Sequence, residues 1–336
     1  MNSPLISILI PHYGGEKILQ DCLDSLKSTD YSNLEVLVLD NNSSDDSIKN
    51  IQPKFPNVKF IKSKYNRGFS GGCNFLATYA NGKYLIILNN DTIHEKKWIT
   101  PLIERMEKNE NISSVQPKIK KHANKAYFDY AGASGGFMDK YCFPFARGRI
   151  FNTIEKDNGQ YDNACQIFWA SGTAFLTKKS IFEKIGGFDE KLFAHMEEID
   201  YHWKCQLQGH EVWVEPSSII YHHGGKTLSP MSPKKTYLNY RNSLILLLTN
   251  HPLNISIKLF FPRIIMEVIS FIREMILLRW GHGFSIIKSW IWIIFNLSFI
   301  LSRRKNIINK NKLNFSLHKN IILDYYIKRK KKYSNL

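Results

Sequence analysis

Short apolar runs alternate with amphipathic stretches along the first part of the chain, and each run closes on polar residues. Leu5 to Ile10 is apolar except for Ser7 and stops at Pro11, which predicts a buried strand. Glu16 to Leu26 places Ile18, Leu19, Cys22, Leu23 and Leu26 at helical spacing. Leu34 to Leu39, Val58 to Ile61 and Lys83 to Leu88 predict three further strands. Between and after them, Asp45 to Ile51, Gly71 to Ala80 and Trp98 to Met106 predict helices. The alternation predicts an α/β domain, Rossmann-like, with a mainly parallel sheet and helices on both faces.

The pattern breaks from Ser113 to Arg149 into short strand-like pieces rich in Gly and aromatics. It resumes with a strand from Phe168 to Leu176, a helix from Lys179 to Ile185 ended by Gly186-Gly187, and a helix from Glu197 to Gln208 with Gly209 as its C-cap signal. Val212 to Val214 and Ile219 to Tyr221 read as two short strands. Composition shifts near Tyr237, after which apolar helices carry interleaved Arg and Lys. The chain therefore divides into a domain over 1–236 and a basic, apolar helical tail over 237–336. Within the tail, Phe284 to Leu301 is close to the shortest stretch that spans a bilayer, but it contains Lys288, Asn296 and serines. A tail lying on the membrane surface is the expectation, ahead of a spanning helix.

Composition narrows the partners. A formal net charge of +17 points to an anionic one: nucleic acid, anionic lipid or a phosphate-bearing substrate. The basic excess lies mostly outside the motif region, so a nucleic-acid-binding protein is the weaker reading. The run Lys328 to Lys332 suits an anionic cytosolic leaflet. Five scattered cysteines without a CxxC argue for a reducing compartment and against a disulfide frame or zinc knuckle. No basic segment followed by a long apolar run opens the chain, so the expected location is cytoplasmic, peripheral to the inner face of the cell membrane.

Candidate chemistry gathers where strands end. The fourth strand stops on Asn89, Asn90 and Asp91, which puts a hard oxygen ligand where open α/β sheets bind ligands and where Mg²⁺ or Mn²⁺ carrying a phosphate would fit. The first strand ends in Pro11-His12-Tyr13 and the second in Asp40-Asn41-Asn42, whose Asp40 can accept from a base N–H. Ser44 and Asp45 serve equally well as helix caps. Asn66-Arg67-Gly68-Phe69, with Asn74 beyond, precedes a helix; its glycines would let backbone approach a phosphate, though the spacing is not that of a dinucleotide site. In Glu197-Glu198-Ile199-Asp200, Glu197 and Asp200 share a helix face and Glu198 points about a third of a turn away. One of the three suits general-base work, while Asp200 with Lys204 is equally an i,i+4 pair. The run from Pro216 to Thr227 ends a strand on His222 and His223, and His222 could ligate Mn²⁺ beside Asp91 or be an ordinary structural histidine.

Taken in order, these motifs resemble the family 2 inverting glycosyltransferases, and the later set (Gly172 to Leu176, Gly186 to Asp189, Glu197 to Asp200, Gly209, Pro216, His222) resembles their rhamnosyltransferase-like branch. The resemblance covers about residues 5 to 245. It implies a GT-A fold and a nucleotide-sugar donor, dTDP-rhamnose or a UDP-hexose. It implies a divalent metal, Mg²⁺ or Mn²⁺, held by Asp91 with His222, and Asp40 at the base. Pro11, Tyr13, Asn42, Asn66, Arg67, Gly68, Asn74 and Asn90 are expected around the donor. Glu198 stands where the family has an aspartate as catalytic base, and this departure keeps Glu197 and Asp200 as candidates. Lys204 stands where an arginine is common. The implied reaction is transfer with inversion to a glycan hydroxyl, lipid-linked, in cell-surface polysaccharide assembly at a membrane surface. The longer side chain at Glu198 also leaves open a catalytically silent nucleotide-sugar-binding scaffold.

Overall fold

The apolar runs form the middle of one sheet in the computed structural model, which describes residues 3–224, 232–306, 313 and 315–336. Gly225 to Thr227, part of the run after His222, lie outside the described residues. In chain order the first elements are β1 (Ile6–His12), α1 (Glu16–Lys27), β2 (Leu34–Asp40), α2 (Ser47–Ile51), β3 (Val58–Lys62), α3 (Gly68–Ala77), β4 (Tyr84–Leu88), β5 (Thr92–His94), α4 (Ile99–Glu107) and β6 (Ile112–Lys121). A small four-stranded sheet follows: β7 (Gly136–Met138), β8 (Pro144–Ala146), β9 (Arg149–Ile150) and β10 (Thr153–Ile154). The sheet-bearing part closes with β11 (Cys165–Gln166), β12 (Ala174–Lys178), α5 (Lys179–Ile185), α6 (Glu197–Leu207) and β13 (Glu211–His222). Four α-helices follow: α7 (Pro233–Thr249), α8 (Leu253–Ile276), α9 (Trp280–Phe295) and α10 (Leu297–Asn306).

The main sheet has nine strands in the order β11-β13-β6-β12-β4-β1-β2-β3, with β5 on β13. The expected parallel half is there: β1 pairs with β2 and β4, and β2 with β3. Beyond β4 the sheet is mixed, because β12 runs antiparallel to both β4 and β6. The chain winds outward from β1 to β3 and then returns on the other side of β1 as β4. The carboxyl ends of β1 and β4 therefore flank the reversal in strand order, where open sheets leave a crevice. Both sheet faces are covered, one by Leu19, Cys22, Leu23, Ile99, Leu102 and Met106 of α1 and α4, the other by residues of α3, α5 and α6.

Two expectations need correction. The strand expected over Phe168 to Leu176 is confined to β12. Phe168 and Trp169 are apolar because they pack with Trp203 and the C-terminal helices. The two short strands expected over 212–221 are one long strand, β13, with a register shift between Glu215 and Ile219. Pro216 lies inside that shift and has no N–H to give the ladder.

The C-terminal helices are fastened to the sheet-bearing part. The composition boundary at Tyr237 falls inside α7. Asn242 on α7 donates to the carbonyls of Leu192 (3.0 Å), Ala194 (3.0 Å) and His195 (2.6 Å), gripping the loop that leads into α6. Asp200 of α6, 0% exposed, pairs with Arg303 of α10 at 2.5 Å and with Lys204 at 2.7 Å, and accepts from Asn250 at 2.8 Å. Arg303 also reaches Asp189 at 2.8 Å. Deeper in the layer, Arg263 of α8 pairs with Glu267 at 2.7 Å and donates to Ser243 of α7. Among the described residues no single helix is long and apolar enough to cross a membrane; α9 and α10 together pass that test but are bent by 67°.

Burial alone would push the Asp200 carboxyl up, but the Arg303 and Lys204 charges hold it well below the usual range. Its ionised form therefore stabilises the fold above the unfolded carboxylate pKa, and that contribution fades as pH falls. Arg303→Ala leaves this buried charge short of a partner and should cost about 3 kcal/mol in urea denaturation at pH 7. The gap to wild type should narrow below about pH 4.

Candidate functional site

The tips of β1, β2 and β4 are locked by side-chain amides. Buried His12 accepts from the Asn90 amide at Nδ1 (2.8 Å), which leaves Nε2 to donate to Ser47 Oγ (2.8 Å). Burial lowers its pKa to about 4 against the raising charges of Asp45 and Asp40, so the ring stays neutral. Asn90 is thus a clamp between strand tips. Asn41, which the sequence did not single out, accepts from Arg67 N (2.8 Å) and donates to Gly68 O (3.0 Å). Its neighbour Asn42 is exposed in a left-handed conformation (φ 64°). Half-buried Asp40 accepts from Ser43 N at 2.9 Å, and Tyr13 is 47% exposed at the open rim beyond Pro11.

The glycine turn before α3 receives protein rather than a free anion. The Phe69 and Ser70 amides donate to the Phe193 carbonyl (2.8 and 3.2 Å). A Cβ on Gly68 would lie 2.5 Å from that oxygen, so glycine is required for this approach. The expectation of a phosphate at these amides is corrected accordingly. Asn66 accepts from Gly68 N, while Arg67 stacks between Tyr65 and Phe75 and donates to Ser63. Asn74 exchanges hydrogen bonds with the Phe188 backbone (2.8 and 2.9 Å) and so fastens the turn after α5 instead of facing the crevice.

Asp91, His222, Glu197 and Glu198, far apart in sequence, line one cavity of about 200 Å³. The end of β4 supplies Asp91, and the end of β13, paired to β5 across Thr92, supplies His222. Asp91 is 3% exposed, and His222 Nε2 lies 3.1 Å from its Oδ1. That approach is misaligned for a hydrogen bond, and Oδ1 has no donor. On its other side His222 Nδ1 meets Asp129 Oδ1 at 2.8 Å. Burial would discharge the imidazole, but the Asp129 hydrogen bond and the charges of Asp91 and Asp129 raise its pKa to about 10. Asp129 falls in the aperiodic stretch after Ser113, where sequence carries no signal for it.

These residues suit a hard divalent cation. A buried carboxylate oxygen without a donor and an imidazole oriented by a second carboxylate make a mixed O,N donor pair. Among the described residues no group of three or more His, Cys, Asp or Glu side chains forms a cage. Such a pair leaves coordination positions for phosphate oxygens and water, the usual arrangement for Mg²⁺. A cation there would displace the His222 proton before Nε2 could ligate.

Across the cavity, α6 begins after Met196, whose left-handed backbone (φ 72°) turns the chain so that Glu197 and Glu198 both face inward to the cavity. Burial pushes Glu198 up to about 7, against backbone hydrogen bonds that lower it. Burial and the Glu198 charge push Glu197 well above the usual range. One oxygen of each carboxyl, Oε2, is buried without a partner. Asp200 is the correction among the three acids: it points away into its pairs with Arg303 and Lys204. His195 and Lys235 also line the cavity, and nothing in their sequence context distinguished them.

The comparisons agree with this architecture. A poly-β-1,6-N-acetyl-D-glucosamine synthase of Staphylococcus epidermidis is 25% identical over 224 residues, 64% of this chain and 49% of that protein. The chain thus spans about half the length of that relative. An N-acetylglucosaminyl-diphospho-decaprenol L-rhamnosyltransferase of Mycobacterium tuberculosis is 21% identical over 247 residues, 69% of this chain and 80% of that one. The solved mannosyltransferase of Pyrobaculum calidifontis, in complex with GDP-Man and Mn²⁺, superposes with TM-score 0.53 at 13% identity, covering 87% of this chain and 88% of that one. That likeness concerns the fold, which is GT-A. The model of glycosyl transferase family 2 matches residues 7–186, more than half of the chain, and the protein belongs to that family.

Proposed function

We propose that the chain transfers a sugar from a nucleotide-sugar donor, dTDP-rhamnose ahead of a UDP-hexose, to a hydroxyl of a lipid-linked glycan, with inversion. The observation that carries this reading is one cavity with Asp91 and His222 on one wall and, on the other, two carboxyls that each keep one buried oxygen without a partner. Asp91 and His222 would hold Mg²⁺ or Mn²⁺, which when bound offsets the charge developing on the departing nucleoside diphosphate. Glu198, with a pKa near 7, is poised to take the acceptor hydroxyl's proton as that oxygen attacks from the opposite face. Its place in the first turn of α6 stabilises the ionised form through the helix dipole. Glu197, kept protonated beside it, adds no competing charge. The mycobacterial relative, an N-acetylglucosaminyl-diphospho-decaprenol L-rhamnosyltransferase, supports a diphospholipid acceptor.

We also place the protein at the cytoplasmic face of a membrane. Along α8, Ile257, Phe261, Ile265, Ile269, Ile272 and Ile276 form a single exposed stripe at helical spacing. A stripe of this length beside basic residues is the composition of an interfacial helix.

Four outcomes are expected. Glu198→Gln should lower kcat by about 10²–10⁴-fold, and the wild-type rate should climb through about pH 7 as the base ionises, a limb the variant lacks. Because Glu198 has a raised pKa, its stabilising protonated form is lost as pH rises from the unfolded value through about 7. The same variant should therefore be more stable than wild type at pH 8, on the order of 1 kcal/mol, with the difference closing toward pH 4. Mn²⁺ with UDP or dTDP should raise the melting temperature of wild type but not of Asp91→Asn. Replacing Phe261, Ile265 and Ile269 by Ser should reduce co-sedimentation with anionic vesicles. Transfer from no nucleotide sugar in a broad panel with Mg²⁺ or Mn²⁺, together with no effect of Asp91→Ala, would sink the reaction.

A further inference from the structure

A second, larger cavity of about 690 Å³ lies against the first, between the loop before α6 and helices α7 and α9. The two share a wall. Phe193 lines the large cavity while Ala194 and His195 line the smaller; Lys234 lines the large one while Lys235 lines the smaller. Helix α9 closes it, with Gly281 set tightly on Pro233 and Ser285 donating to the Pro233 carbonyl at 2.9 Å.

The lining carries more cations than acids. Lys191, Lys234, Arg241 and Lys288 all contribute to it. The lysine ammonium groups lie over rings: Lys234 is 5.1 Å from Phe193, Lys288 5.1 Å from Tyr237 and Lys191 5.5 Å from Phe299. Arg241, 8% exposed, donates to the carbonyls of Lys191 and Leu192. Among the described residues none of the four is paired to a carboxylate, and the acid in the lining, Glu190, already accepts from Asn74. Four cations facing one carboxylate leave the lining with an excess of positive charge, which suits a multiply charged anion. Next to Ser285, Phe284 is 58% exposed, and the outer side of α9 continues with Ile291, Ile294 and Phe295. A cationic cavity opening onto an apolar helix face matches an anionic head joined to a hydrocarbon tail.

We propose that this cavity receives the diphosphate of a polyprenyl-type amphiphile, whose chain lies along the exposed side of α9. Resting on the transfer reaction above, it makes that amphiphile the acceptor, held with its sugar toward the Glu198 wall. The charge complementarity of the cavity and the continuity of the apolar face select this ligand over a free phosphate.

Binding of farnesyl diphosphate, farnesol and pyrophosphate to the full chain by calorimetry tests it, in wild type and in Lys234→Gln/Lys288→Gln. Both lysines are exposed, so the double variant should keep the wild-type melting temperature. Farnesyl diphosphate should bind wild type more tightly than either fragment, and the double variant should lose about tenfold or more in affinity. Equal binding by wild type and variant overturns the site. So does farnesol matching farnesyl diphosphate, which would mean an apolar face alone. Pyrophosphate matching it would mean a lipid-independent phosphate site and would equally overturn the proposal. The two readings fail separately. Lysine-dependent binding without any sugar transfer leaves the site and removes the reaction; transfer with an unchanged acceptor KM in the variant leaves the reaction and removes the site.

Discussion

The buried ion pair between Asp200 and Arg303 sets the rotation of α6, and the site depends on that rotation. With Asp200 drawn inward to α10 and Asn250, the first turn of the helix presents Glu197 and Glu198 to the cavity. A buried carboxylate needs its partner far more than an exposed one does, so the contact acts as a strong orienting constraint. The same acidic run thus contains one acid that builds the structure and two that face the cavity.

The loop entering α6 is held just as firmly from behind. Asn242 and Arg241 of α7 take up its carbonyls, and the amides at the start of α3 take the Phe193 carbonyl. The left-handed backbones of Phe193, His195 and Met196 cost free energy that these contacts offset. The C-terminal helices are therefore part of what positions the cavity wall. They line the back of the smaller cavity and the front of the cationic one, which joins the two cavities in a single packing arrangement.

On the opposite wall, His222 sits between Asp91 and Asp129. A carboxylate behind the imidazole orients the ring, and the carboxylate in front keeps an oxygen without a donor. The strand tips around it are rigid for a different reason: amides such as Asn41 and Asn90 saturate the polar groups of neighbouring loops and leave few of them free to rearrange.

Strand and helix periodicity, the polar endings of β1, β2 and β4, and the ordered motifs were legible in the residues alone. That is because local burial and turn chemistry act over a few neighbours. Asp91, His222 and Glu198 could be named because each ends or begins an element. Asp129, His195 and the cations of the larger cavity could not, since they lie in aperiodic segments or on helices whose facing depends on what they pack against. The sequence pattern likewise could not separate Glu197 and Glu198 from Asp200, nor a glycine turn that admits a carbonyl from one that admits a phosphate. Those distinctions rest on which distant side chain reaches a buried charge or a close-packed backbone, and only the tertiary arrangement decides that.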